Sequence, residues 1–250
     1  MKVRAKAVAR PHFDRRVIWL LGALTGAVLA VFVYTSQASA SVQSYTVDFT
    51  DYKPADGPID AWLRSKGFKF ERDAGSDSKI MLRADQRGLE VDALQQAQGL
   101  LINNTINQNQ YSAIEIEWAV KQHPEGASYE RNVNNEAIMV HVFFGKDKKP
   151  SGSAFVPDLP YFIGLFLCNG DRVGHAYTGR YFQEGGRYVC LQSAPVGQAL
   201  VSRFDLRGGF QSIFGALSQG VTGYSIEVDT TNAAGAGTSS ATIKRIRFVA

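Results

Sequence analysis

The sequence predicts an all-β sandwich, and three observations carry that expectation. Short runs of alternating apolar and polar residues recur from residue 45 to residue 249, the period of two required by a half-buried strand. Gly is abundant at 24 residues, and Gly, Asp, Ser, Asn and Pro cluster between those runs, where turns are needed. The chain also ends on two strand-like segments, 220–232 and 242–249, separated by the Gly- and Ser-rich loop 233–240. In the first of them Tyr224, Ile226 and Val228 alternate with Ser225, Glu227 and Asp229. A terminal pair of this kind implies a sheet whose last strand is held inside the fold. At 250 residues the chain holds one large all-β domain plus a leader, and is too short for two generous domains.

The leader comes first. Residues 1–16 form a basic cytoplasmic segment, with Lys2, Arg4, Lys6, Arg10, Arg15 and Arg16 against the single acid Asp14. Residues 17–40 read as a signal peptide or a signal-anchor helix. The run 17–34 carries no charge, exceeds the usual signal core and just reaches the length that spans a bilayer. Ala38-Ser39-Ala40 matches a small-residue cleavage site. Either reading puts residues 41–250 in the periplasm, anchored to the inner membrane or released after cleavage near Ala40. The net charge of +4 belongs to the leader: removing six of 27 basic and one of 23 acidic residues leaves 21 and 22. A near-neutral domain lacks the basic face that nucleic-acid binding requires, so no nucleic-acid partner is expected.

Within 41–250 the elements follow in order. Residues 45–49 make a short strand, and 51–58 a turn-rich entry with Pro54, Gly57 and Pro58. Residues 59–65 predict one or two helical turns carrying Trp62 and Leu63 inward. Strands are expected over 68–72, 79–84, 88–93 and 99–104. The cleanest strand is 111–120, with Ile114, Ile116, Trp118 and Val120 on one face and Glu115 and Glu117 on the other. After a charged loop, 136–144 is apolar on both faces, as a central strand beneath a covering layer would be. Residues 161–168 and 187–192 read as a further pair, expected to be antiparallel. Within 199–217 a loop and then a short helix are expected, because Gly208-Gly209 interrupts the helical spacing of Phe210, Phe214 and Leu217.

Several of these segments carry a family likeness. Arg203-Phe204-Asp205-Leu206, the piece 209–215, Gly223-Tyr224 through Asp229-Thr230-Thr231-Asn232, and Ile246-Arg247-Phe248 resemble the C-terminal half of a bacterial exported family, domain of unknown function 3047. Trp118 resembles the second tryptophan of that family's Trp-x-Trp strand, with Ile116 in place of the first. Phe204 is inserted and Phe210 stands where the family has Tyr. The resemblance spans roughly residues 60–250. It implies a jelly-roll β-sandwich of two antiparallel sheets with one or two short helices, similar to carbohydrate-binding modules. It implies no activity.

Candidate site residues are then weighed by chemistry. Glu115 and Glu117 leave the same strand face, and paired carboxylates are the working unit of glycoside hydrolysis. A third acid on that face is missing, because Ala119 stands there, and two solvated acids are the competing reading. His141 joins Glu117 in one groove if their strands are neighbours. Arg172, His175, Tyr177 and Arg180 lie in the long connection 169–186, the kind of segment that carries function, or that Tyr177 and Arg180 merely tie down. Such side chains suit a sugar, aromatic faces stacking on rings and charged planar groups binding hydroxyls. No cofactor is expected. The one cation candidate is calcium, with Asp48, Asp51, Asp229 and Asn232 as oxygen donors, against a simple turn-capping role for Asp229 and Asn232. Cys168 and Cys190 form an even pair in an exported domain and point to a disulfide.

These readings converge on a non-enzymatic, membrane-associated protein of the bacterial envelope. It binds a glycan or serves as an accessory subunit of an envelope complex, with a glycan-active hydrolase or lyase using Glu115 or Glu117 as the alternative.

Overall fold

A computed structural model describes residues 44–106, 111–193 and 195–250; the leader expectations for 1–16 and 17–40 lie outside that range. Six strands build one sheet: β1 (Tyr45–Asp48), β3 (Ile80–Asp85), β4 (Gly88–Ala93), β6 (Ala113–Gln122), β11 (Leu200–Asp205) and β13 (Ser239–Val249). Seven build the other: β2 (Phe68–Arg72), β5 (Gln98–Asn103), β7 (Glu136–Lys149), β8 (Leu159–Cys168), β9 (Ala176–Tyr177), β10 (Gly186–Ser193) and β12 (Val221–Asp229). The first sheet runs β11-β6-β13-β4-β3, with β1 beside the C-terminal half of β13; the second runs β2-β5-β12-β7-β8-β10-β9. The expected β-sandwich is the fold, and the last strand is indeed interior.

Period-two patterning places the core between the sheets. Ile114, Ile116, Trp118 and Val120 of β6 turn inward, as do Ile138, Val140, Val142 and Phe144 of β7 and Ile243, Ile246 and Phe248 of β13, all buried. Each such side chain contributes about 1.5–3 kcal/mol through removal of apolar area from water. Two short helices close the edges. Helix α1 (Ile59–Ser65) buries Trp62 and Leu63, as the sequence predicts. Helix α2 (Leu206–Phe214) seals one end of the sandwich, with Phe210 4.8 Å from the Phe144 ring.

Two expectations need correction. The segment 199–217 opens with strand β11 on the edge of the first sheet, and α2 runs straight through Gly208-Gly209. Two caps offset the roughly 1 kcal/mol that a helical glycine costs. Asp205 accepts hydrogen bonds from the Arg207 and Gly208 amides, and Gly215 closes the C-terminus in the left-handed conformation. A side chain at Gly209 would also strike the Phe204 ring. Second, β8 and β10 are parallel, not antiparallel. The connection 169–185 is long enough to carry the chain back to the same end before β10 begins, and it lays β9 on β10's free edge on the way. The expected disulfide forms within this parallel pair, linking Cys168 to Cys190 with 5.5 Å between their Cα atoms.

Candidate functional site

The sequence-derived site residues fall into three separate places. Glu115 and Glu117 lie on the outer face of the first sheet, where cations on both neighbouring strands hold them. Glu115 stands in register with Arg203 of β11 and Arg247 of β13 and is ion-paired to both, to Arg247 at 3.1 Å. An irregularity in β13 between Ile243 and Arg245 turns Lys244 and Arg245 onto the same face. Both reach Glu117, at 2.8 and 3.5 Å, and Arg245 also pairs with Asp48 at 2.6 Å. Neither glutamate therefore presents a free carboxylate to a substrate.

The same face continues across β4 and β3 into a cleft of about 190 Å³. Arg83, Asp85, Arg87, Glu90, Lys121 and Thr242 line it. Arg83 bridges Glu90 and Asp92, Lys121 reaches Glu90, and Arg87 clamps Asp85 at 2.6 Å. Burial pushes Glu90 up, but the hydrogen bonds and charges of Lys121 and Arg83 outweigh it and hold the carboxyl below its ordinary range. Arg87 does the same for Asp85. The Thr242 hydroxyl is buried and has no hydrogen-bond partner among the described residues. The sequence offers no signal for this cleft, because its lining comes from four strands whose neighbourhood only the sheet order creates.

His141 is elsewhere. Its strand, β7, belongs to the second sheet, so the expected groove joining His141 to Glu117 does not exist. Met139, His141 and Phe143 share the outer face of that sheet, and Tyr129 of the loop 123–135 covers the part around Met139. Tyr129 from that loop packs against Phe166, Tyr188 and Tyr177, with ring centroids 4.6, 5.2 and 5.8 Å away. Gly164, paired with His141 on one side and Tyr188 on the other, leaves the room that these rings occupy.

Under this cover sits a buried acid cluster that sequence reasoning missed. His141 Nε2 lies 3.3 Å from Glu227 Oε2, and its Nδ1 lies 3.2 Å from Ser225 Oγ. Gln98 donates to Glu227 at 2.6 Å, Tyr129 to Glu136 at 2.8 Å, and Asn135 to Asp229 at 3.0 Å. Glu136 reaches this face because Ala137 and Ile138 both turn inward at a register shift, which flips the alternation. Burial pushes the His141 imidazole down to about 3 and Glu227 up to about 7. Burial and the charge of Glu227 raise Asp229 to about 6, and burial raises Glu136 well above the carboxylate range. The His141–Glu227 contact is accordingly a neutral imidazole facing a carboxyl that keeps its proton in mild acid. Perturbed groups of this kind mark functional sites elsewhere, but here Tyr129 and Asn135 of the covering loop bond Glu136 and Asp229 directly.

The connection 169–186 divides between two places. Arg172 and Tyr177 both bind Glu130 of the covering loop, each at 2.6 Å, and hold its carboxyl down near 2. His175 packs edge-on to Tyr177 at 4.6 Å. Tyr177 thus ties down a loop. Arg180 lies farther along, over the Tyr181 ring at 5.4 Å. The calcium candidates are likewise apart: Asp48 is on the first sheet, held by Arg245 and Thr50, whereas Asp229 and Asn232 end β12 of the second. Asp229 caps its turn through the Thr231 amide and hydroxyl, and the Asn232 amide donates to Asn135. Among the described residues no three His, Cys, Asp or Glu side chains converge as metal ligands.

No protein-family model matches the chain, and no curated protein does. Several solved structures are distantly similar, three of them as follows. The K1 cleaved adhesin domain of Lys-gingipain from Porphyromonas gingivalis W83 has 10% identity over 83% of this chain and 98% of its own, with a TM-score of 0.36. The K2 cleaved adhesin domain of Lys-gingipain has 13% identity over 83% and 98%, with a TM-score of 0.35. The xylan-binding module CBM15 has 10% identity over 82% and 94%, with a TM-score of 0.32. At such identities and scores, none of the three lends its ligand or its site to this chain.

Proposed function

We propose that this is an exported, non-enzymatic protein of the bacterial envelope whose sandwich binds a glycan in the cleft of its first sheet. The observation that carries the reading is the cleft itself, built from Arg83, Arg87, Lys121, Asp85, Glu90 and the unpartnered hydroxyl of Thr242. A sugar hydroxyl donates and accepts at once, and alternating guanidinium, ammonium and carboxylate groups answer both needs. The three cations of the lining are all ion-paired, but Arg87 and Lys121 keep N–H donors beyond those pairs, which suits carboxylated sugars. No aromatic platform lines the cleft, so recognition rests on hydrogen bonds.

Export accords with the leader and with the Cys168–Cys190 disulfide, a bond that persists in oxidising compartments. The likeness to domain of unknown function 3047 belongs to this reading and assigns it no activity. The alternative, hydrolysis by Glu115 or Glu117, needs a carboxylate released from its cations and gains no support from the ion pairs around both.

Calorimetric titration with oligogalacturonates and with neutral xylo-oligosaccharides tests the proposal. Uronate binding is expected, and Arg87→Ala or Lys121→Ala should each weaken it about tenfold, since a hydrogen bond to a charged group contributes about 1.5–3 kcal/mol. Glu115→Gln should bind unchanged. No binding of any oligosaccharide, or binding indifferent to Arg87 and Lys121, removes the cleft as the site.

A further inference from the structure

The end of the sandwich sealed by α2 carries side chains that neither the core nor the cleft uses. The tip of the β7–β8 hairpin exposes Phe155 almost completely, at 96%. Phe155 is not alone, since Tyr181 and Leu217 are also exposed at this end, and apolar side chains that gather on a surface mark an interaction site. Phe155 does not hang from a loose loop. Ser151 donates its hydroxyl to the Ser153 and Val156 carbonyls, and its amide donates to Asp158, which together fold the tip.

The neighbouring loop is bound to that tip, the Phe182 amide donating to the Ser151 carbonyl at 3.0 Å. Phe182 adopts a φ of 57°, a left-handed conformation that a bulky residue holds only at a cost. Its ring thereby packs on Phe162, at 5.3 Å, while the preceding Tyr181 stays exposed. Leu217, 80% exposed, is on the same end, since the Gly145 amide donates to the Gly220 carbonyl just beyond it.

Charge accompanies these side chains. Lys146, Lys148 and Arg180 are exposed and form no ion pair among the described residues. Lys149 and Arg187 stand over the rings of Tyr161 and Phe214. The acids here include Asp147, Asp158, Glu184 and Asp205, of which Asp158 is engaged by Ser151 and Asp205 by the first amides of α2. The described chain also enters the sandwich at this end: Tyr45 pairs with Phe248 and its hydroxyl meets that of Tyr224, three residues into β12. The first described strand therefore begins at the end that bears these groups.

We propose that this end docks on the surface of an anionic phospholipid bilayer, with Phe155 and Tyr181 entering the interface and Lys146, Lys148 and Arg180 facing headgroup phosphates. Aromatic residues are favoured at the headgroup level, and basic residues beside an anionic surface add attraction that salt screens. Docking would leave the cleft on the outer face of the first sheet open to solvent, so glycan binding and membrane docking are separable.

The test places a nitroxide on Phe155→Cys in the full chain as it is produced, with Val196→Cys as the control. Val196 is exposed on the loop whose Gly197 amide meets the Val120 carbonyl, at the opposite end. Accessibility of the label to a water-soluble relaxant is read in vesicles rich in phosphatidylglycerol and in vesicles of phosphatidylcholine alone. The label at 155 should be shielded in the anionic vesicles only, and the label at 196 in neither. Lys146→Gln, Lys148→Gln and Arg180→Gln should each lower the docked-to-undocked ratio about fivefold. A label at 155 that stays in water in both vesicles, equal shielding at 155 and 196, or shielding indifferent to lipid charge and to these three substitutions would overturn the proposal.

Discussion

At the scale of the residue, the protein is defined by where its carboxylates sit. On the first sheet every glutamate of β6 and β4 is matched by cations across the strands, and the pairs face solvent, where each contributes little. On the second sheet Glu136 and Glu227 are buried and Asp229 is partly so. Their hydrogen-bond partners Gln98, Tyr129 and Asn135 are neutral, and the charge of Arg72 offsets burial at Glu227 and Asp229 only in part. The consequence is a pH dependence with a definite sign. Glu227 and Asp229 have folded-state pKa values raised from 4.5 and 3.8 to about 7 and about 6, so over that interval the native state holds protons that the unfolded chain has released. Their contribution is fully present below pH 3.8 and is lost as the pH rises through 6 and 7. His141 opposes it below pH 6.5, because its lowered pKa makes the native state bind fewer protons there. Glu227→Gln should therefore flatten the fall in stability between pH 5.5 and 7.5, by about 1–3 kcal/mol. Urea unfolding midpoints at several pH values check this; an unchanged pH slope in the variant would show that Glu227 is not the titrating group.

Elements add a second layer to that cluster. The loop 123–135 is held against the second sheet at Tyr129, Glu130 and Asn135, and two of those contacts go to the carboxylates beneath it. The connection 169–186 in turn grips Glu130 through Arg172 and Tyr177. The disulfide closes this connection across 22 positions, joining the end of β8 to the middle of the parallel strand β10. In the chain-entropy picture a loop of that length contributes about 3 kcal/mol. Replacing both cysteines by serine is expected to lower the unfolding free energy by about that amount and to expose the 169–186 connection first. Limited proteolysis read by mass spectrometry would locate the first cuts. Cuts spread evenly over the domain would separate the disulfide from the loop's stability.

For the whole molecule, β13 is the decisive element, since it alone pairs with β1, β4 and β6. Ile246 and Phe248 near its end are fully buried, and Phe248 meets Tyr45, Tyr111 and Tyr224 within about 5.4–6.2 Å. Removing residues 245–250 should abolish the fold and not merely fray an edge. Loss of near-ultraviolet circular dichroism and of dispersed amide resonances is the expected result, and a truncated chain that keeps both would overturn it.

The fold was largely legible in the sequence, the site much less so. Alternation grouped the faces of β6, β7 and β12 correctly, and the turn residues marked most of the boundaries. Gly208-Gly209 misled, because capping by Asp205 and Gly215 overrode propensity. A plain period of two would turn Glu136 inward with Ile138 and Val140, and nothing local announces the shift at Ala137 and Ile138 that turns it outward.

By itself, then, the sequence determined the strands, the interior last strand, the near-neutral domain and the pairing of its two cysteines. Each of these follows from local period, composition or count. Tertiary structure alone decided that Glu117 and His141 lie on different sheets, that β8 and β10 run parallel, and that four strands assemble a charged cleft. The reason is physical: a period of two says which side of a strand is buried, but strand order and direction arise from long-range pairing, and a site made across strands exists only once that pairing is set.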